Sequence, residues 1–245
     1  MAFPLVFIYK IQKRFISTLI AILFLLTNLS GICQAQITNK YGLYIVEKKQ
    51  ELKKIVAADS TMDMVDIKKN IPGVQLDLKY CGRDNFMKKQ LYPANLKTTY
   101  LRKPAAASLQ KVQAALNKKG LGLKIWDAYR PYAVTEKMWE PVKDDRYAAD
   151  PKFGSGHNRG IAVDLTIVDT ATGKELDMGT GFDHFSDTAH SDFKNLPAVV
   201  LQNRKLLRNL MEENGFKVLD TEWWHFYLPD SKKYALLNIS FKALK

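Results

Sequence analysis

Hydrophobic and polar positions recur along this chain with two different periods, which predict both strands and helices. Alternation with a period of two at Val74–Tyr80 and Ile161–Val168 is typical of half-buried strands. Apolar residues at helical spacing predict the two longest helices, at Pro104–Lys119 and Asn195–Asn214. The apolar face is expected at Leu109, Val112 and Leu116 in the first helix, and at Val199, Leu206, Leu207, Leu210 and Met211 in the second. A glycine directly follows each of these two segments, at Gly120 and Gly215, as is common where helices end.

Shorter elements fill the intervals between these segments. Helices are predicted at Glu47–Ala58 and Tyr132–Val142, and a hairpin at Asp169–Gly181. Strands are predicted at Leu121–Ala128, Phe216–Leu219 and Trp223–Leu228. Strands in a run, with helices on the two sides, favour an α+β fold over a regularly alternating βαβ sheet. We therefore expect a single α+β domain with a mainly antiparallel central sheet flanked by helices.

The length and composition of the chain fit one domain with a sizeable core. The chain has 245 residues, of which 47% are hydrophobic. Residues 36–70 are polar and charged, and they predict an N-terminal arm or helix ahead of the main domain at residues 71–245.

The N-terminal residues 1–35 have the pattern of a secretory signal peptide. Three basic residues precede the uncharged apolar stretch 15–29, and small or weakly polar residues follow it up to Ala35. The apolar stretch is shorter than the roughly 20 residues of a spanning helix. We expect cleavage after Ala35, export to the periplasm or the exterior, and no membrane span in the mature chain. An uncleaved anchor and lipid attachment at Cys33 are the alternatives.

Charge and cysteine content narrow the possible partners. The formal net charge of +12 suits an anionic polymer or surface. The lysines are scattered rather than interleaved with aromatic residues, so no nucleic-acid partner is expected. Cleavage of the leader would leave Cys81 as the single cysteine, which excludes an internal disulfide and favours a small core residue.

Three side chains in two distant segments predict a zinc site. His157, Asp164 and His225 offer three ligands and leave a fourth position for water, which distinguishes catalytic from structural zinc. Asp164 lies between two apolar residues, where a carboxylate without a partner is costly, so a bound cation is favoured. Taken alone, each segment has another interpretation: Asp164 as the cap of a turn, and His225 as a core histidine.

Two further residues are suited to the chemistry of amide hydrolysis. Glu222 stands three residues before His225, where it can take a proton from the water. On a straight strand these two positions face opposite sides, so Glu222 must lie at the strand entrance or beside a bend. Arg130 follows a predicted strand, and its guanidinium can stabilise an oxyanion. The alternatives are a surface position for Glu222 and an ion pair of Arg130 with Asp127 or with an acidic loop residue.

Together these motifs resemble the zinc D-alanyl-D-alanine dipeptidases of the vancomycin-resistance type, within the larger group of zinc D-Ala-D-Ala peptidases. The family pattern Ser-x-His-x-x-Gly-x-Ala-x-Asp is matched at Ser155–Asp164. The Glu-x-Trp-His element is matched at Glu222–His225, and the Tyr-Arg-Pro element at Tyr129–Pro131. The resemblance covers roughly residues 66–228.

The resemblance implies a role for each of the candidate residues. One Zn²⁺ would be bound by His157, Asp164 and His225. Glu222 would act as the general base that later protonates the leaving amine, and Arg130 would stabilise the tetrahedral intermediate.

The resemblance also implies the substrate. Asp183 would bind the free ammonium of a dipeptide, and Ser155 would help to hold that end. This restricts cleavage to short peptides with a free amine. The expected function is zinc-dependent hydrolysis of D-Ala-D-Ala to two D-alanines, in turnover or salvage of cell-wall peptides. The alternatives are a zinc D-Ala-D-Ala carboxypeptidase acting on peptidoglycan stem peptides and a non-catalytic zinc-binding wall module. The remaining histidines, His184 and His190, are expected at the surface, and a second metal site in their acidic loop is the alternative.

Overall fold

The computed structural model describes residues Thr38–Lys245, and the predicted signal peptide lies outside them. Nine strands follow in chain order within this range: β1 Ile45–Val46, β2 Met64–Asp66, β3 Gln75–Leu76, β4 Tyr100–Arg102, β5 Leu121–Asp127, β6 Ala162–Asp169, β7 Lys217–Leu219, β8 Glu222–Tyr227 and β9 Leu236–Leu237. The same range holds seven α-helices: α1 Lys49–Ala58, α2 Ile67–Asn70, α3 Lys103–Asn117, α4 Tyr132–Val142, α5 Gly156–Arg159, α6 Ala198–Glu213 and α7 Phe241–Leu244. None of these helices has the length and apolar character needed to cross a bilayer.

A five-stranded sheet with the strand order β3-β5-β6-β8-β7 lies at the centre. The β5–β6, β6–β8 and β7–β8 pairs are antiparallel, whereas β3 joins β5 in parallel. The sheet is thus mixed, and the expectation of a mainly antiparallel sheet is corrected. The reason is the connection after β3: the chain crosses through β4 and α3 before it enters β5 in the same direction, as a parallel pair requires.

Two small sheets join the N-terminal residues to the rest of the unit. β1 pairs in parallel with β9 near the C-terminus, and β2 pairs with β4 in antiparallel orientation. Val46 in β1 and Ile67 in α2 are fully buried. Residues Thr38–Lys245 consequently form one compact unit, which confirms a single α+β domain over the described residues.

The main core lies between the central sheet and the two long helices, α3 and α6. The predicted apolar face of α3 is confirmed, because Leu109, Val112 and Leu116 are fully buried. Burial of a side chain of this size stabilises a fold by about 1.5–3 kcal/mol. Val199, which was expected on the apolar face of α6, is instead 54% exposed. The helix begins at Ala198, three residues later than predicted, with Pro197 at the N-cap position. Its buried side is formed by Val200, Arg204, Leu207 and Met211, so Val199 faces solvent.

The predicted strand at Val74–Tyr80 is largely wrong. Only Gln75–Leu76 pair with a neighbour, and Lys79–Cys81 form a 3-10 turn. The alternating pattern reflects alternating burial, since Val74, Leu78 and Tyr80 are buried, without a continued hydrogen-bond ladder. Cys81 is half-buried beside a hydrophobic cluster, and burial raises the pKa of its thiol to about 11. A thiol with this pKa is a poor nucleophile at neutral pH.

Candidate active site

The register of the central sheet places two of the candidate ligands side by side. Asp164 in β6 is the direct partner of His225 in β8, so both side chains leave the sheet on the same face. Asp164 Oδ1 lies 2.8 Å from His225 Nδ1. Both side chains thus reach the same space without any movement of the backbone.

The third candidate ligand, His157, is positioned by the one-turn helix α5. Gly160 ends this helix with a φ of +72°, and a Cβ added there would lie 2.8 Å from the sulfur of Met64. The positive φ of the sharp turn favours glycine at this position, and a side chain there would also displace the end of Met64. His157 Nδ1 lies 2.7 Å from the carbonyl oxygen of Ala128. An N–H donated to this carbonyl leaves the Nε2 lone pair free to bind a cation.

Ligand atoms of the three side chains converge within 4.8 Å of one another. His157 Nε2 lies 3.2 Å from His225 Nδ1 and 3.3 Å from Asp164 Oδ2. Burial disfavours the charged form of Asp164, but the two histidines outweigh it and hold its pKa well below the usual range. Within Thr38–Lys245, this is the one cluster of three such groups with the geometry of a metal site. Two nitrogens and one carboxylate form a donor set that suits zinc with an open position.

Glu222 reaches the same space because of an irregularity in the sheet. It is the first residue of β8, and the β7–β8 register shifts between Val218 and Leu219. Glu222 thus lies at the entrance of a strand and beside a bend, and either position allows it to approach the same space as His225. Glu222 Oε2 lies 3.9 Å from His225 Nδ1. Burial raises the pKa of Glu222 to about 8, with the negative charges of Asp164 and Asp183 adding to the effect.

Arg130 forms the buried ion pair with Asp127 that was the alternative from the sequence. Its Nε and Nη2 groups donate to Asp127 Oδ2 at 3.0 and 2.8 Å, and Asp127 is fully buried. Burial disfavours the guanidinium charge, but Asp127 outweighs it and raises the pKa of Arg130 well above its usual value. The side chain is a permanent cation that also lines the cleft at the ligand cluster. Within the part of the chain that the structure describes, its Nη1 group has no acceptor.

Asp183 faces the cleft from a loop residue with a positive φ of 56°. Its carboxylate accepts a hydrogen bond from the backbone N–H of Phe86 at 3.1 Å and from the hydroxyl of Tyr80 at 3.3 Å. Burial raises the pKa of Asp183 to about 7, and the charge of Asp164 adds to this effect. The sequence did not single out Tyr80. Asp84–Phe86 also resemble the family sequence, and this resemblance is the signal that the segment approaches the site.

Ser155 has a structural role that the sequence did not assign. Its hydroxyl oxygen accepts the N–H of Asn158 at 3.2 Å, while the Asn158 side chain accepts the N–H of Ser155 at 3.0 Å. This reciprocal cap begins α5 and so helps to position His157. Ser155 also lines the cleft.

All seven residues predicted for the site line one cleft of about 230 Å³. The cleft also includes residues that sequence reasoning missed, among them Tyr80, Phe86, Met138, Arg146, Tyr147 and Leu219. His184 is exposed, and neither it nor His190 lines this cleft. The arrangement combines a cation-binding cluster with a carboxylate of near-neutral pKa, a fixed guanidinium and a second carboxylate. Such a set is suited to adding water to an amide.

Residues 60–242 match the model of the peptidase family M15, described as D-Ala-D-Ala dipeptidase. The chain belongs to this family. Membership in the D-Ala-D-Ala dipeptidase family makes the protein a metallopeptidase, and the matched range contains all seven candidate residues. The resemblance seen in the sequence motifs is thereby confirmed.

Individual relatives agree with this family. The D-alanyl-D-alanine dipeptidase of Escherichia coli (strain K12) is 37% identical over 183 residues, which cover 75% of this chain and 93% of that protein. The D-alanyl-D-alanine dipeptidase of Enterococcus faecalis (strain ATCC 700802 / V583) is 30% identical over 176 residues, covering 64% and 87%. Among solved structures, the LdcB LD-carboxypeptidase aligns at 19% identity over 70% of this chain and 71% of that chain, with a TM-score of 0.40, which is too low to bear on function.

Proposed function

We propose that the protein is a zinc peptidase that hydrolyses D-Ala-D-Ala to two D-alanines. The observation that carries the proposal is the convergence of three metal-ligand atoms in a cleft shared with Glu222 and Asp183. Membership in the D-Ala-D-Ala dipeptidase family and relatives that bear this name support the same substrate.

His157, Asp164 and His225 would hold the zinc ion. The fit rests on the donor set, and on the Ala128 carbonyl, which directs the Nε2 lone pair of His157 towards the other two ligands. When bound, zinc supplies Lewis acidity that lowers the pKa of a water molecule to about 7 and polarises a carbonyl.

Glu222 would be the proton carrier of the reaction. Its carboxylate would accept the proton of the attacking water and then deliver this proton to the departing amine of the second D-alanine. Both transfers are favoured by a carboxyl pKa close to the working pH, and burial raises the pKa of Glu222 to about 8.

Arg130 would stabilise the negative charge that forms on the carbonyl oxygen. Two of its N–H groups are used by Asp127, which fixes the plane of the guanidinium. A donor fixed in advance costs no reorganisation when the oxyanion forms, and this is the condition for strong electrostatic stabilisation.

Asp183 and Ser155 would bind the ammonium end of the dipeptide. Tyr80 and the Phe86 N–H hold the Asp183 carboxylate, and its ionised form would make a charge-assisted hydrogen bond with the ammonium. The cleft of about 230 Å³ is smaller than the roughly 300–1,000 Å³ of pockets for drug-sized ligands. A dipeptide of two small residues suits this volume.

The enzyme would act outside the cytoplasm. The support is the leader sequence at residues 1–35, with cleavage after Ala35, followed by the segment 36–70 and the peptidase domain at 71–245. An exported dipeptidase would act in turnover or salvage of peptides released from the cell wall.

A panel of three substrates tests this function. Zinc-loaded protein is incubated with D-Ala-D-Ala, L-Ala-L-Ala and N-acetyl-D-Ala-D-Ala, and the release of free alanine is measured. We expect turnover of D-Ala-D-Ala and very poor turnover of the acetylated peptide, because acylation removes the charge that Asp183 binds. Equal hydrolysis of the free and acetylated substrates would contradict the dipeptidase proposal and favour a carboxypeptidase.

A further inference from the structure

Three aromatic rings form a row along one side of the cleft, here called the wall: Phe86 and Tyr147 line the cleft, and Phe185 lies behind them in contact with both. The rings of Tyr147 and Phe185 lie 4.7 Å apart, and Phe185 in turn lies 5.3 Å from Phe86. The Arg146 guanidinium sits over the Tyr147 ring at 5.1 Å from its centre. Tyr147 is thus held by contacts with both Phe185 and Arg146.

A second, smaller cavity lies beside this wall. It has a volume of about 100 Å³ and is lined by Phe185, Ser186 and His190, among others. Tyr147 and Glu222 line both this cavity and the cleft of about 230 Å³. Tyr147 therefore stands where the two spaces meet, and Phe185 supports it from the side of the smaller cavity.

The wall stands next to the site for the substrate ammonium. Phe86 donates its backbone N–H to Asp183, while its ring contacts Phe185. Phe185 is also only two residues along the chain from Asp183. A peptide extended at its amino end would have to pass this point.

We propose that the Tyr147–Phe185 pair determines substrate length by blocking peptides extended at the amino end. This inference rests on the proposed dipeptidase function and adds a second criterion to it. Asp183 selects for the charge of a free amine, whereas the two rings exclude the volume of an additional residue. Removal of the Tyr147 ring would join the cleft to the cavity of about 100 Å³, which provides space for one small residue. Removal of the Phe185 ring would enlarge that cavity and take away the contact that holds Tyr147 in place.

The test compares Tyr147→Ala and Phe185→Ala with the wild type on three peptides: D-Ala-D-Ala, Gly-D-Ala-D-Ala and D-Ala-D-Ala-Gly. Products are identified by mass spectrometry, and zinc content is measured for each protein. We expect kcat/KM for Gly-D-Ala-D-Ala relative to D-Ala-D-Ala to rise at least about tenfold in both variants, the discrimination that even one methylene provides in a pocket. Phe153→Ala is the matched control, because this ring is 67% exposed and does not line the cleft, and it should leave the ratio unchanged.

An unchanged ratio in folded, zinc-containing variants would overturn the proposal. A gain for D-Ala-D-Ala-Gly instead of Gly-D-Ala-D-Ala would also overturn it, because the wall would then stand at the carboxyl end. A binding measurement separates failure of this proposal from failure of the dipeptidase proposal. The affinity for Gly-D-Ala-D-Ala is measured by calorimetry for the same variants in a Glu222→Gln background. Absence of hydrolysis in the wild type would refute the dipeptidase function, whereas tighter binding of the extended peptide to the variants depends on the wall alone.

Discussion

Asp164 and His225 are direct partners across strands β6 and β8, and their side chains meet at 2.8 Å between Oδ1 and Nδ1. The candidate metal site is therefore part of the register of the central sheet. Since side chains alternate between the faces of a sheet, a slip of one residue would move His225 to the opposite face. Only His157 comes from outside this ladder, on a helix whose position depends on Ser155 and Gly160.

Replacement of a single ligand should remove zinc and activity together. We expect His157→Ala, Asp164→Ala and His225→Ala to lose the metal, because the two remaining groups no longer form a three-ligand site. The measurement is zinc per chain by mass spectrometry, alongside turnover of D-Ala-D-Ala. His190→Ala is the control, since this histidine lies outside the ligand cluster and should retain both. A ligand variant with full zinc content and full activity would remove that residue from the site.

Glu222→Gln should separate metal binding from catalysis. The amide keeps the size of the side chain but cannot accept the proton of the attacking water. We expect zinc content to stay the same while kcat falls by roughly 10²–10⁴-fold, the usual contribution of general acid–base catalysis. Near-normal kcat in a zinc-loaded variant would show that another group carries the proton.

Arg130→Lys should lower kcat more than it raises KM. Lysine keeps the charge but lacks the planar fork that binds Asp127 and leaves a donor for the oxyanion. The variant should also unfold at a lower temperature, because Asp127 is fully buried and would lose well-placed donors. Arg208→Lys, at a surface pair with Glu212, is the control and should change neither property. A change in KM alone would make Arg130 a binder of the ground-state substrate.

Asp183→Asn should change how the stability of the metal-free protein depends on pH. Burial raises the folded-state pKa of Asp183 to about 7, above its usual value of 3.8. Between these two values the folded state binds more protons than the unfolded state, so this group makes the wild type less stable as pH rises from about 4 to 7. Asparagine does not titrate. We therefore expect the Tm of the variant relative to wild type to increase over this range and to level off above it. A constant Tm difference from pH 4 to pH 8 would contradict the raised pKa.

The sequence predicted the two long helices and the strands β5 to β8, whereas the alternating segment Val74–Tyr80 gave only the two paired residues of β3. The apolar face of α3 was correct at Leu109, Val112 and Leu116, since a helix that packs on a sheet must repeat its apolar positions every three or four residues. The parallel position of β3 was missed. Two paired residues carry too little pattern to reveal a neighbour, and that neighbour, β5, follows 45 residues later in the chain.

The candidate site was predicted from its motifs, but its supporting residues were not. Asp127 is brought opposite Asp164 by a register shift between Ile125 and Asp127, and no local pattern in the sequence marks an irregularity of this kind. The Tyr80 hydroxyl reaches Asp183 across 103 positions of sequence. Contacts between residues so far apart in the sequence depend on the tertiary fold and cannot be predicted from local spacing.

The most direct test of the account is whether zinc restores D-Ala-D-Ala hydrolysis to metal-depleted protein. The wild type is stripped with a chelator, dialysed and then supplied with one equivalent of Zn²⁺, and free D-alanine is measured at each stage. The account predicts no release from the stripped protein and two D-alanines per dipeptide consumed after zinc is added. Full hydrolysis by protein shown to contain no metal, or none by protein shown to contain one zinc per chain, would contradict it.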